Sequence, residues 1–550
     1  HRIPRGLLRG FCALAKSVPV GAKFRNTPSA CGGDRNFEDF ANLFFSNMTL
    51  SNCSFLGNCH LPESAMIISN SLEHHTPQFR VLSEGQCQEL YAAALQCLER
   101  VGIQVHNAVA RELLASKGAR LEEQIVHIPE NLVKQAVAVT PHEYTVWGRD
   151  GNHEMCVALD RVHFGPGPTC TYFIDPKTGE RRKAQRGDAG MVAKVCDALP
   201  NIDYIMGLSL FDDVTPTLAA VYEFAEELAN TSKPIMAWAN TPETFRDIYA
   251  MALAVAGSEE VLREKPIFAY FTTYESPLKL ADGPLANLIE AAERGIPSVC
   301  LGGPNIGLES PFTGASALVL HLASALSALT VVQTHVPGAA MAIGGLPSMM
   351  DLRTARPAYG SPEASLYSAA AVDLARYLGL PFMGTAGASE AKRVDAQAGA
   401  EAALQVMLSA LSGAALVHDV GFLDCADIGS LSYLVLVDEI IGMAARVMRG
   451  VQVSKETIML DLIEKVGPGG TFINQAKSAS LSRKEAWIPS ILDRSPYNSW
   501  SGKGSPTTEE LAAAKANKIL DTHQPASLPT GAQARIEAIL LEAEARERAG

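Results

Sequence analysis

Two short apolar runs, at residues 382–385 and 416–420, end in side chains that can bind or orient a polar ligand. Thr385 closes the first, with Ser389, Glu390 and Lys392 just beyond it, and His418 and Asp419 close the second. An Ala-rich helical pattern over 394–411 joins them, which makes one β-α-β unit, since a parallel strand pair needs such a crossover. In parallel α/β folds ligands bind at the C-terminal strand edge, where these residues fall. The His418-Asp419 pair is the one expected to be catalytic.

The rest of the chain repeats this unit. Strand-like runs fall at 162–165, 204–210, 235–239, 267–272, 298–301, 339–343, 382–385 and 416–420. Helical patterns lie between them at 186–198, 216–230, 242–256, 283–294, 314–332, 362–378 and 394–411, with a last one at 431–448. Eight alternations of near-continuous apolar strands and helices predict a (β/α)8 TIM barrel. The rival is an open doubly wound sheet, but no Gly-x-Gly-x-x-Gly fingerprint follows a strand. Glycines recur near the strand ends (Gly165, Gly207, Gly302-Gly303, Gly344-Gly345, Gly384, Gly421). They read either as turn chemistry or as places where backbone approaches a ligand.

Four regions follow: a leader at 1–75 that does not conform to the rest, a helical and β extension at 76–160, the barrel at 161–450 and a helical cap at 451–550. The leader reads as a targeting segment or, preferably, a non-native upstream extension, because it lacks an apolar core with a small-residue cleavage site. In the cap, helices are predicted at 453–466, 507–520 and 531–549.

With 550 residues, 47% of them hydrophobic, the chain can bury a sizeable core. The net charge of −13 argues against a nucleic-acid partner, which would need a basic face. The 11 cysteines form no C-x-x-C or Cys/His cluster at metal-ligand spacing, so no metal is expected and a reduced, cytoplasmic protein is. No run has the apolar length of a membrane span; residues 318–332 come closest and fit a buried core helix. A Schiff-base lyase would want a lysine on a strand, and none of the eight runs holds one.

Several collinear segments then carry a family resemblance. These are Gly165-Pro166-Gly167, Gly360-Ser361-Pro362-Glu363, Lys392-x-x-Asp395-Ala396-Gln397-Ala398-Gly399-x-Glu401, Asp438-Glu439-Ile440, Gly467-Pro468-Gly469-Gly470 and Pro489-x-x-x-Asp493-Arg494. With Glu99-Arg100-Val101-Gly102-Ile103-Gln104-Val105 they resemble the trimethylamine methyltransferase family from about residue 80 to 545. The resemblance implies a barrel with extra helices, and transfer of a methyl group from a methylated amine to the Co(I) corrinoid (cobalamin) of a separate corrinoid protein. It implies no tightly bound cofactor. A homo-oligomer is also expected. One branch of the family uses pyrrolysine for trimethylamine. This chain runs through the barrel in standard residues, so it resembles the branch without it, for which glycine betaine and related quaternary amines are the known kind of substrate. It departs from the family pattern at His321-Leu322-Ala323-Ser324, where an acidic residue is usual. A non-enzymatic betaine-binding protein on the same fold remains a second reading.

For such a substrate the barrel must desolvate a methylammonium, aim one methyl outward and leave its mouth open. Aromatic faces hold such cations at about 0.5–2 kcal/mol each. Trp238, Tyr270, Phe271 and Tyr274 lie on or past two strands, and Phe164, Tyr172 and Phe382 near two others, although alternation turns only some inward. Trp238, followed by Asn240, is the best cage candidate. A betaine carboxylate would need donors. Arg353, Lys392 and the backbone at Gly344-Gly345 are offered for this, unless Arg353 pairs with Asp351 and Lys392 belongs to a helix start. Of the strand histidines His163, His335 and His418, the last is the one tied to substrate or corrinoid.

Overall fold

The computed structural model describes residues 67–68 and 76–549. The expectation for the leader lies outside the described residues except at Ile67–Ile68. These two pair antiparallel with Val162 and Arg161, and so join the sheet from which the leader was expected to be absent.

The fold is mixed α/β, built on one curled sheet of seven parallel strands: β1 Arg161–Phe164, β2 Ile235–Trp238, β3 Phe268–Thr273, β4 Ser298–Leu301, β5 Met341–Gly344, β6 Phe382–Thr385 and β7 Leu416–His418. Neighbours follow chain order from β2 to β7, and β7 then pairs with β1. Eight helices succeed the strands: α1 Arg186–Ala198, α2 Ala219–Asn230, α3 Pro242–Ala256, α4 Asp282–Arg294, α5 Gly314–His335, α6 Pro362–Leu378, α7 Ala396–Ser412 and α8 Leu431–Met448. Local chemistry sets their ends. Thr241 and Ser361 cap α3 and α6 by accepting from the amides of Thr244 and Ala364, each followed by proline at the first helical position. Gly379 and Gly413 stop α6 and α7 at φ 68° and 80°, where a Cβ would be strained. Among the described residues α5 alone is long and apolar enough to cross a membrane, and most of it is buried within the protein.

The run at 204–210 is not a regular strand, contrary to the sequence reading. The segment is tied by isolated bridges: Asp203 N–H donates to the Phe164 carbonyl (2.8 Å), Ile205 N–H to Pro234 (2.9 Å) and Met236 N–H to Ile205 (2.9 Å), and further on Leu210 N–H donates to Cys170 (2.8 Å). Leu208 then takes φ 66° and turns the chain away. Tyr204 is fully buried and its hydroxyl donates to the Val417 carbonyl across the sheet (2.9 Å).

Side-chain alternation splits the apolar residues into two sets. Met236, Ala269, Phe271, Val299, Leu301, Ala342, Met383 and Leu416 pack together with Tyr204 and Met206 inside the curl, while their neighbours face the helices. A hairpin, Glu143–Trp147 with Glu154–Ala158, adds Tyr144, Val146, Met155 and Val157 to the inner cluster at the N-terminal strand end. Lys233, just before β2, is buried there and donates to the carbonyls of Cys196, Leu199 and Ile202 (2.6–2.8 Å). Three carbonyls hold this amine in place, so it is structural.

In the C-terminal region Thr508–Thr522 and Ala532–Ala549 bury Ala512, Ala516, Ile536 and Ile539 against the main core. The helix expected at 453–466 breaks at Met459 (φ 52°) into Lys455–Ile458 and Leu460–Val466.

Candidate active site

The same alternation delivers side chains to the C-terminal end of the sheet. Trp238, Phe271, Thr273, Leu301, Thr385 and His418 follow the inner residues of their strands two positions on. All but Thr385, which is buried and bonded to His418, line a cleft with two adjoining lobes. One, of about 310 Å³, is lined by Tyr274, Ser276, Glu309, Tyr359, His418 and Asp419 among others. The second, of about 430 Å³, is lined by Phe211, Trp238, Asn240 and their neighbours. Pro168, Thr169, Phe271 and Thr273 wall both.

His418 is held on two sides. Thr385 Oγ lies 3.1 Å from its Nε2, and Asp419 Oδ1 lies 2.5 Å from its Nδ1. The Nδ1 contact is short, but its angle makes no hydrogen bond in this geometry. Asp419 sits at φ 81°, a strained position for a non-glycine residue and one that clusters at functional sites. Gly167 makes room for it: a Cβ there would stand 2.5 Å from Asp419 Oδ1. The Gly165-Pro166-Gly167 segment is therefore explained by close approach. A Cβ on Gly165 would likewise fall 2.4 Å from the Tyr204 ring.

Each lobe has an aromatic wall anchored from behind. Trp238 Nε1–H donates to Glu223 Oε2 of α2 (3.0 Å), and Gly207 N–H donates to Glu223 Oε1 (3.0 Å). In the other lobe the Tyr274 hydroxyl bonds to His321 Nδ1 of α5 at 2.7 Å. Burial holds the His321 imidazole down to about 4, with a bond to the Gly302 backbone pulling the other way. The ring is therefore neutral at physiological pH, and Tyr274, whose own ionisation burial pushes far up, is the donor. Gly302 and Gly345 let this pair pack: a Cβ on either would fall within 2.6 Å of the Tyr274 or His321 ring.

The structure places the remaining sequence candidates elsewhere. Tyr270 has the wrong strand parity. It faces the helices, stacks edge-on to Phe245 and donates to the Ala239 carbonyl. Arg353 is exposed and pairs with Asp351 (2.8 Å), outside the cleft lining. Lys392 is exposed and reaches the Glu390 carbonyl and Asp424. Ser389 is buried with its hydroxyl on Glu401. Gly344 ends β5, and the Gly345 amide is spent on the Met383 carbonyl, so it cannot serve a substrate carboxylate. His163 bonds the Cys156 carbonyl at the opposite strand end, and His335 pairs with Glu293. Phe164 and Phe382 are buried in the main core, and Arg181 lies 3.3 Å from the Tyr172 ring centroid. Among the three strand histidines, only His418 lines the cleft.

The trimethylamine methyltransferase family model matches residues 60–546. The chain belongs to that family. The match begins earlier than the motifs suggested, ahead of Ile67–Ile68. The chain is 30% identical over 465 residues to a trimethylamine methyltransferase of Desulfitobacterium hafniense, covering 83% of this chain and 93% of the relative. It is 32% identical over 457 residues to one of Methanosarcina barkeri, covering 81% and 92%. A glycine betaine methyltransferase of Desulfitobacterium hafniense is 28% identical over 469 residues, covering 85% and 97%. Among solved structures, the Methanosarcina barkeri monomethylamine methyltransferase aligns at 14% identity and a TM-score of 0.49, covering 83% of this chain and 93% of the other.

Membership in the methyltransferase family gives the cleft its context. Sequence reasoning missed Phe211, Tyr359 and Glu223. Phe211 and Tyr359 come from loops with no period to betray them. Glu223 stands in Ala219–Asn230, a helical pattern in which nothing marks one acid out until the fold turns it toward Trp238.

Proposed function

We propose that this protein moves a methyl group from a quaternary methylated amine, of the glycine betaine kind, to the Co(I) corrinoid of a separate protein. The observation that carries the reading is the Trp238–Phe271–Phe211 lobe next to His418–Asp419 at one strand end. Lobes of this size suit a small amine and not a whole corrinoid, so the corrinoid would meet the substrate at the rim, presented by its own protein. When bound, it supplies the cobalt nucleophile. The residues of this chain strip water from the cation, and Trp238 and Phe271 hold it by their faces. His418, fixed by Thr385 and Asp419, orients the other end of the substrate. A quaternary nitrogen already bears its charge, so the departing tertiary amine needs no proton. Most of the gain would come from positioning.

We read the sheet as a complete eight-membered barrel whose second strand is reduced to the bridging bonds at Asp203 and Ile205. We also read the protein as cytoplasmic, in keeping with its free thiols among the described residues.

The test mixes the protein with its corrinoid partner in the Co(I) state and offers glycine betaine, carnitine, choline and trimethylamine in turn. Conversion to methyl-Co(III) with a quaternary amine is expected. Binding of the amine without cobalt methylation would favour the betaine-binding reading instead.

A further inference from the structure

Behind the Trp238 wall, α2 presents Glu223 and Glu227 one turn apart, 2% and 1% exposed. Glu223 accepts from the Trp238 indole and the Gly207 amide. The fold makes way for it, since a Cβ on Gly207 would fall 2.4 Å from the Glu223 carboxyl carbon. Glu227 Oε1 has no hydrogen-bond partner. The titratable group facing Glu227 from α1 is Cys196, and among the described residues no lysine or arginine pairs with either acid.

Two buried carboxylates this close cannot both ionise. Burial pushes Glu223 up to about 7 even against its two donors. Burial, and then the Glu223 charge, push Glu227 well above the carboxylate range. Glu223, which accepts from two N–H donors, is therefore the acid of the pair placed to carry charge, and Glu227, whose Oε1 has no partner, is the one held protonated. A buried anion without a cation is costly, and a ligand cation on the exposed face of Trp238 would offset that cost. An indole whose N–H is given to a carboxylate also has a more electron-rich face.

We propose that Glu223 is a specificity-determining residue: through Trp238 it favours a quaternary ammonium methyl donor over a molecule of the same shape with carbon in place of the charged nitrogen. This rests on the function proposed above. The test compares glycine betaine with 3,3-dimethylbutanoate, and choline with 3,3-dimethylbutanol. Each pair differs only by carbon in place of the charged nitrogen. Binding is measured by calorimetry on the full chain. Wild type should prefer the quaternary ammonium in both pairs, and Glu223→Gln should cut that preference about tenfold while 3,3-dimethylbutanol, the uncharged isostere, binds within about twofold of before. Glu227→Gln, which mimics the protonated acid, should keep the preference. Trp238→Phe, which keeps a ring but loses the N–H, should lose part of it and serves should Glu223→Gln misfold. Equal loss for cation and isostere in Glu223→Gln would reduce Glu223 to a structural role and overturn the proposal, as would full preference in Trp238→Phe. Wild type that binds cation and isostere equally would overturn it too. Cobalt methylation by wild type in the same samples keeps that failure distinct from failure of the function itself.

Discussion

The two lobes of the cleft use one device with two different backings. Trp238 and Tyr274 are both aromatic walls hydrogen-bonded to a helix behind the sheet. Trp238 is backed by an acid, Glu223, whereas Tyr274 is backed by His321, which burial keeps neutral. The first lobe sets an acid behind its aromatic wall; the second sets a neutral ring there, and its own acids, Glu309 and Asp419, lie in the lining instead. The second lobe instead holds His418 and Asp419. Under the function proposed above, the lobes would divide the work: one would hold the methylammonium, and the other would orient what is attached to it.

Substitutions can break this comparison. His418→Ala should lower the rate of methyl transfer about a hundredfold, because misplacing the substrate by an ångström costs that much; steady-state kinetics with the corrinoid partner measures it. Trp238→Ala should raise KM for the amine about tenfold and leave the fold intact, as circular dichroism would check. Tyr274→Phe leaves His321 Nδ1 without its donor in a buried site and should cost about 1–3 kcal/mol in denaturant unfolding. It should change cation affinity less than Trp238→Ala does.

The His321 ring gives that lobe a pH signature. In the folded state it resists protonation down to about 4 from an ordinary 6.5. The unfolded chain thus takes up the proton first, and the His321 contribution is complete above 6.5 and lost as pH falls toward 4. Unfolding midpoints should fall over that window, and less steeply in His321→Asn. Arg353→Ala is expected to do least: its pair with Asp351 is exposed and screened by solvent, so neither the unfolding midpoint nor KM should move measurably.

Much of this was legible in the chain, for reasons that can be named. Runs that become β4 and β6, and helices α1, α3, α6 and α8, carried both their apolar pattern and their end signals, such as Thr241-Pro242 and Ser361-Pro362. The run at 204–210 misled because its apolar content serves an inward tyrosine and a turn at Leu208, not a ladder. Within the site, His418, Asp419, Thr385, Trp238 and Tyr274 sit where strand ends must bring them. Tyr270 was a parity error beside Phe271, and the register Trp238↔Phe271 shows which of the two shares the inner face. Arg353 and Lys392 follow strands in sequence but stand on loops, where nothing in the spacing fixes direction. Glu223 could not be read at all, since only the packing of α2 on β2 reveals its partner.

The most direct test of the central claim is stoichiometry. Wild-type protein, its Co(I) corrinoid partner and glycine betaine are mixed, and methyl-cobalt is followed by absorbance while the amine product is followed by proton NMR. One dimethylglycine should form for each methyl-Co(III), more slowly in Trp238→Ala. Dimethylglycine without methyl-cobalt, or equal rates in wild type and Trp238→Ala, would contradict it.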